Sequence, residues 1–383
     1  MIYYITYIDY KEFSDLNLKL SPAADQKSKY ISESIDSLPI KYKIVELAET
    51  SNKFGLYKSR DLKYLNNGQI ITFNGFGKPN KIFNKLHYFY TKFQLFNFLS
   101  KLNKDDVVIS YHSLSTAKIM CCMKKKKHFK LILELEEKYQ DIVSCSEKLA
   151  KWEDRVIDCA DGYILAANCL TECIPFNKPY IICNGTYKSE PDRNFKKEDN
   201  LIHCVYAGTF DPSKGGALAA ALSSLYLNDN YHIHILGFGD EKQISSIKST
   251  INDVSKKTDC KISFNGLLKG EDYIRFIQKC DIGLCTQIPD AKYVNTSFPS
   301  KILVYLANGL RVVSVNIPSI KESAVGKLMY YYDFQDPKEI ANAIKNIDLF
   351  EKYDSRKVLN ELDKQFKEDL HMLINSFMVK KYE

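Results

Sequence analysis

Short apolar runs alternate with helical patterns along most of the chain. The first run, IYYITYI (residues 2–8), predicts an opening strand. A polar loop follows, and SPAADQKSKYISESIDSL (21–38) predicts a helix with Ser21 as N-cap and Pro22 at the first helical position. The runs YKIVELA (42–48), GQIITFNGF (68–76), DVVISYH (106–112), KLILELE (130–136), DGYILA (161–166) and PYIICNG (179–185) read as further strands, and LHYFYTKFQLFNFLSKL (86–102) has helical spacing. Strands alternating with helices predict a parallel sheet.

The pattern breaks at TYKSEPDRNFKKEDN (186–200), a polar, charged stretch carrying Pro191 that reads as a linker. A second α/β series then begins. It runs through IHCVYAG (202–208), a helix from about Gly215 to Leu227, YHIHILGFG (231–239), KISFNG (261–266), DIGLCT (281–286), NTSFPSKILVYLANGLRVVS (295–314) and MYYY (329–332). The last pattern, residues 356–382, is one long helix. The expected fold class is α/β, with two Rossmann-like domains facing a cleft and the C-terminal helix returning to the first. The expected limits are 1–185 with 360–383 for the first domain, 186–200 for the linker and 201–359 for the second domain.

A length of 383 residues suits two cores better than one. With 45% hydrophobic and 26% charged residues the composition is that of a globular protein, and 26 tyrosines and 21 phenylalanines predict an aromatic-rich core. The sequence has no apolar run of about 18 residues, and its start lacks a basic segment and a small-residue cleavage site, so a cytoplasmic protein is expected. The 11 cysteines include no C-x-x-C pair and are expected to be reduced thiols acting as small hydrophobes; no metal-ligand spacing with histidine is read. The net charge of +7 is modest. Its one dense cluster, Lys124, Lys125, Lys126 and Lys127, reads either as a solvated turn or as a patch for an anionic membrane surface. No aromatic–basic recognition motif points to nucleic acid.

Ligands of open parallel sheets bind at the carboxyl ends of the strands. In the second half those ends carry four loops. YAGTFDPSKGG places Gly208 and Thr209 after a strand and Lys214 and Gly215 at the next helix start, where backbone N–H groups suit an anion. LGFGDE supplies Gly237 and Gly239. FNGLL supplies Asn265, Gly266, Leu267 and Leu268, whose backbone suits a flat base. NTSFPSK supplies Thr296, Ser297, Phe298, Pro299, Ser300 and Lys301 ahead of a helix, a second place for phosphate. Four such loops in register argue for a nucleotide bearing a diphosphate. In the first half, His112 ends a strand in SYHSLS. Glu134 and Glu136 share one face where LILELEEKYQD leaves its strand.

On AGTFDPSKGG, ILGFG, ISFNGLL, CDIGLC and FPSKILVYLANGLRVVS, the second half (about Val205 to Ile344) resembles GT-B glycosyltransferases, and among them family 4, the retaining nucleotide-sugar enzymes of bacterial polysaccharide synthesis. The chain diverges from that family where it usually has a glutamate pair, carrying Thr296 and Val304, and where it has an arginine, carrying Thr209. The resemblance implies a donor, a UDP-sugar by preference, held by the loop residues named above. Lys214 and Lys301 would carry the phosphate charge. His112 would touch the donor sugar, and Glu134 and Glu136 would serve an acceptor hydroxyl or the developing positive charge. It also implies a metal-independent hexosyltransferase without cofactor. The acceptor would be polyprenyl-diphosphate-linked or another glycan, in capsule or O-antigen synthesis, with the protein peripheral on the inner membrane face. A sugar-nucleotide epimerase of the same fold and a non-catalytic nucleotide- or glycan-binding partner subunit are the alternatives.

Overall fold

The computed structural model describes residues 1–141, 145–289 and 297–378, and the chain divides into two compact units, 1–186 with 364–383 and 187–363. In the first unit the elements in order are β1 (Ile2–Thr6), β2 (Leu18–Lys19), α1 (Pro22–Asp36), β3 (Tyr42–Glu46), β4 (Glu49–Thr50), β5 (Leu56–Tyr57), β6 (Asp61–Tyr64), β7 (Gly68–Ile71), β8 (Gly75–Phe76), α2 (Lys81–Ser100), β9 (Val107–Tyr111), α3 (Ala117–Lys127), β10 (Lys130–Leu135), α4 (Glu147–Cys159), β11 (Gly162–Leu165) and β12 (Tyr180–Ile182). Its main sheet runs β12-β11-β10-β9-β1-β3-β7-β6 and is parallel except at the edge, where β6 pairs antiparallel with β7. The expected parallel sheet is present, with one antiparallel strand added at its edge. Tyr64 and Gly68 close a hairpin too tight for a crossover helix, and β2–β4 and β5–β8 form two small antiparallel ribbons.

The second unit contains β13 (Ile202–Thr209), α5 (Gly216–Ser223), β14 (Tyr231–Phe238), α6 (Glu241–Val254), β15 (Lys261–Gly266), α7 (Gly270–Ile277), β16 (Ile282–Cys285), α8 (Lys301–Ala307), β17 (Arg311–Val315), α9 (Pro318–Lys321), β18 (Met329–Tyr332), α10 (Pro337–Lys345) and the start of α11 (Ser355–Phe377). Its sheet, β15-β14-β13-β16-β17-β18, is parallel throughout.

Local chemistry explains several boundaries. Ser21 takes the cap position of α1 in extended conformation with Pro22 next, although its hydroxyl makes no capping bond. Asn80 caps α2 by accepting from the Ile82 and Phe83 amides, and Asp240 and Gln243 form a capping box on α6. The cores are rich in aromatic residues, with Tyr4, Tyr30, Tyr42, Phe13 and Phe129 fully buried in the first unit and Tyr206 and Tyr305 in the second. All eleven cysteines are free thiols.

The segment 187–200 is tied into the second unit rather than strung out as a tether. Tyr187 is buried, the Glu190 amide donates to the Ala307 carbonyl at 2.9 Å, and Lys197 pairs with Asp281. The end of α11 belongs to the first unit, where Phe366 stacks on Tyr30 at 5.3 Å between centroids.

Candidate functional site

In the second unit the end of β13, the start of α5 and Lys301 meet at Tyr206, a core residue of β13. Its ring carries the Lys301 ammonium over its face at 4.1 Å, and its hydroxyl donates to the Thr209 carbonyl at 2.8 Å. A methyl group added at Gly208 would sit 2.9 Å from Lys301 Nζ, and one added at Gly216, the first residue of α5, would meet the Tyr206 ring at 2.8 Å. The end of β13, the start of α5 and Lys301 are thus within touching distance of one ring. Gly237 pairs with Gly208 in the β13–β14 register and has φ +148°. A side chain there would run into the Gly208 carbonyl oxygen, so glycine is required by close approach as well as by conformation.

The remaining loop residues have varied settings. Lys214 is exposed, and its carbonyl accepts from the Ile288 amide at 3.2 Å. Gly215 caps α5 in left-handed conformation, with the Gln335 amide group 3.0 Å from where a Cβ would stand. Gly239 precedes the α6 cap, Gly266 has φ +67°, Leu267 is exposed and Leu268 half-buried. Ser297 and Pro299 are half-buried, Phe298 is buried and anchors the loop, and Ser300 is the exposed first cap of α8. Helix α8 has only 7 residues, so the positive charge here comes from Lys301 more than from a helix dipole. Thr296 lies outside the described residues. Asn265 turns away from the loops, its Oδ1 3.3 Å from His234 Nδ1.

Three further residues were not singled out from sequence. Thr286 donates to the Gly216 carbonyl at 2.7 Å, Gln335 donates to the Thr286 carbonyl at 2.8 Å, and Tyr305 accepts from the Ala207 amide at 2.8 Å. The signal that could have found Thr286 and Gln335 is their position just past strand ends β16 and β18.

In the first unit the structure places His112, Glu134 and Glu136 as follows. His112 follows β9 as expected but is only 1% exposed, stacked on Tyr139 at 5.1 Å, and burial pushes its pKa down to about 4. Glu134 is fully buried and accepts from the Tyr4 hydroxyl at 2.7 Å. Burial, helped by the charge of Glu136, raises its pKa. Glu136 shares its face, as alternation requires, but is ion-paired with Lys27 from α1. Burial opposes charge on Lys27, and the adjacent Glu136 outweighs it, so the Lys27 pKa is raised. Glu134 and Glu136 thus stand beside Lys27, the Glu136 carboxylate reaching its ammonium on α1.

The carboxyl ends of the first sheet instead open a cavity of about 210 Å³, lined by Tyr7, Lys19, Glu49, Tyr88, Lys92 and Thr116 among others. Helix α2 supplies Tyr88 and Lys92 to it and exposes an apolar stripe along its length: Ile82 at 70%, Leu86 at 52%, Phe89 at 57%, Phe93 at 59% and Phe96 at 42%. The lysine cluster is corrected in place and in number. It is the last turn of α3, and Lys124 is committed to Asp161 at 2.6 Å and to the Phe129 carbonyl. Lys125 and Lys126 are exposed, and Lys127 is half-exposed.

Residues 202–347 match the family of glycosyl transferases group 1. No curated protein matches the chain. Among solved structures, an OtsA apo structure aligns with a TM-score of 0.64 at 11% identity, covering 100% of this chain and 99% of that one. Anabaena HepE in complex with UDP aligns at 0.65 and 10% identity, covering 98% and 99%. An E. coli structure described as trehalose-6-phosphate bound with UDP-2-fluoro glucose aligns at 0.63 and 10%, covering 98% of each. At such identities the likeness is one of fold, and the fold is of the two-Rossmann-domain GT-B type. No helix among the described residues is long and apolar enough to cross a membrane.

Proposed function

We propose that this protein is a glycosyltransferase that takes a sugar from a nucleotide diphosphate sugar, a UDP-sugar by preference, and passes it to a glycan or lipid-linked acceptor. The observation that carries the reading is the convergence of Gly208, the start of α5 and the Lys301 ammonium on Tyr206, inside the segment that matches glycosyl transferases group 1. Neighbours in fold were solved with UDP and with UDP-2-fluoro glucose, which fits a diphosphate at this place.

In this reading the glycines let backbone amides approach the diphosphate, and Lys301 and Lys214 stabilise the charge that builds on it as the sugar leaves. The transfer needs no metal for that charge. The cavity beside Lys19 and Glu49 receives the acceptor hydroxyl, and the apolar stripe of α2 beside it suits an acceptor carried on a lipid, with the protein resting on the inner membrane face. Hexosyl transfer with retention, in capsule or O-antigen assembly, is the finer form of the proposal.

Calorimetric titration of the full chain with UDP and GDP tests it. Lys301→Ala is expected to weaken UDP by about 1.5–3 kcal/mol, roughly 10- to 100-fold. Unchanged affinity, or no binding by the wild type, overturns the site. The interior positions of His112 and Glu134 favour one second reading, a nucleotide-binding subunit without turnover. UDP release from UDP-glucose that rises on adding lipid-linked glycan supports transfer; binding without release supports the subunit.

A further inference from the structure

Three histidines that the nucleotide site does not use meet on one face of the second sheet. His203 on β13 and His232 and His234 on β14 bring one ligand-capable nitrogen each to within 4.8 Å of one another. They lie toward the amino ends of their strands. Gly208 and Gly237 follow five residues after His203 and His232, about 17 Å further along.

Each ring has its outer nitrogen held by a polar partner. His203 Nε2 lies 2.7 Å from Asp199 Oδ1, His232 Nε2 lies 2.7 Å from Ser263 Oγ, and His234 Nδ1 lies 3.3 Å from Asn265 Oδ1. The inner nitrogens are the ones left over. His203 Nδ1 and His234 Nε2 approach to 2.9 Å, and His232 Nδ1 is buried with no hydrogen-bond partner.

A neutral imidazole has one N–H and one lone pair. A carboxylate beside His203 Nε2 and the Asn265 Oδ1 beside His234 Nδ1 both draw an N–H, and two neutral rings so oriented turn lone pairs toward each other at 2.9 Å. His232 brings one ligand-capable nitrogen to within 4.8 Å of theirs, and its Nδ1 is buried with no hydrogen-bond partner. That arrangement is repulsive when empty and becomes attractive when a cation sits at its centre.

We propose that His203, His232 and His234 bind one divalent cation of the zinc class through their inner nitrogens, with Asp199, Ser263 and Asn265 orienting the rings. Three imidazoles favour zinc-like ions over calcium or magnesium. A carboxylate behind a ligating histidine is the usual way a protein fixes its tautomer. Zinc–nitrogen bonds of about 2.0–2.1 Å at tetrahedral angles put ligand nitrogens about 3.4 Å apart, so the closest pair spreads by a few tenths of an ångström on binding. A fourth position is left for water. Half-buried His203 with Asp199 forms the entry edge. The ion would clamp β13, β14 and the segment before β13 at the end of the sheet away from the nucleotide loops.

The test uses the full chain without a histidine tag, stripped by chelation and titrated with cobalt(II). One equivalent with visible tetrahedral-type absorption bands, bleached by one equivalent of zinc, is expected. Zinc should also raise the melting temperature. His203→Gln, at the open edge, should abolish the bands while keeping the far-ultraviolet circular dichroism. Asp199→Asn should weaken the metal about 10- to 100-fold with the fold intact. Absence of stoichiometric cobalt in the wild type, or His203→Gln binding as tightly as wild type, overturns the proposal. Such a result would mean that Asn265 turns its amide and His234 donates to His203 without metal.

Discussion

Gly208 and Gly237 show how single residues set the candidate donor site. At Gly208 the obstacle to a side chain is the mobile end of Lys301, whereas at Gly237 it is backbone. Gly208→Ala is therefore expected to keep the fold and displace the ammonium, weakening UDP in calorimetry, while Gly237→Ala should lower the melting temperature outright. Lys27 and Glu136 set a second expectation. Glu136→Gln leaves a buried ammonium unpaired and should cost about 3–5 kcal/mol in urea unfolding, and Lys27→Met with Glu136→Leu should recover most of it. A third concerns Glu46, buried at the end of β3 and accepting from the Ile8 and Ala48 amides. Burial pushes its pKa from the ordinary 4.5 up to about 8. The folded state then holds a proton that the unfolded chain gives up, so this contribution is complete below pH 4.5 and declines by about 1.4 kcal/mol per unit as pH rises toward 8. Unfolding free energies of Glu46→Gln should lack that decline.

Two elements are candidates for the proposed membrane contact. The lysines at the end of α3 complement the negative end of their own helix, and one of them is spent on Asp161. Helix α2 exposes five large apolar side chains at helical spacing, which no amount of surface charge explains. Replacing Phe89 and Phe93 by serine should cut binding to anionic liposomes about 100-fold or more, given roughly 1.5–3 kcal/mol for each phenylalanine transferred. Replacing Lys125 and Lys126 by glutamine should remove about 1 kcal/mol each and only at low salt. Flotation assays that rank the two pairs the other way would return the role to α3.

At the scale of the molecule, the first unit is built from two distant parts of the chain. Residues Phe366, Leu370, Leu373 and Ile374 of α11 are buried there, and at about 1.5–3 kcal/mol each they rival the whole stability of a domain. A fragment of residues 1–186 should therefore lack a cooperative melt, and adding a peptide of residues 360–378 should restore one. Chelation offers a second whole-molecule readout. If the histidine cluster holds a metal away from the nucleotide loops, EDTA should lower the melting temperature and leave initial rates of sugar transfer unchanged.

The order and type of elements were written in the chain itself. Apolar runs of strand length, the cap and proline at Ser21 and Pro22, and glycines at strand ends act locally, so YKIVELA, YHIHILGFG and the long terminal helix are legible without a partner. The four strand-end loops were legible for the same reason. The polar segment 186–200 was less so, because composition reports exposure and not the bonds that Glu190 and Lys197 make with the second unit. Only the tertiary structure decided which polar residues point inward. Alternation put Glu134 and Glu136 on one face, but whether that face meets a ligand or α1 depends on a helix more than a hundred residues away. The same holds for His203, His232 and His234. The spacing H-x-H gives two of them on one face of a strand, but the third arrives only through the pairing of β13 with β14, a long-range choice made by burial of the whole sheet.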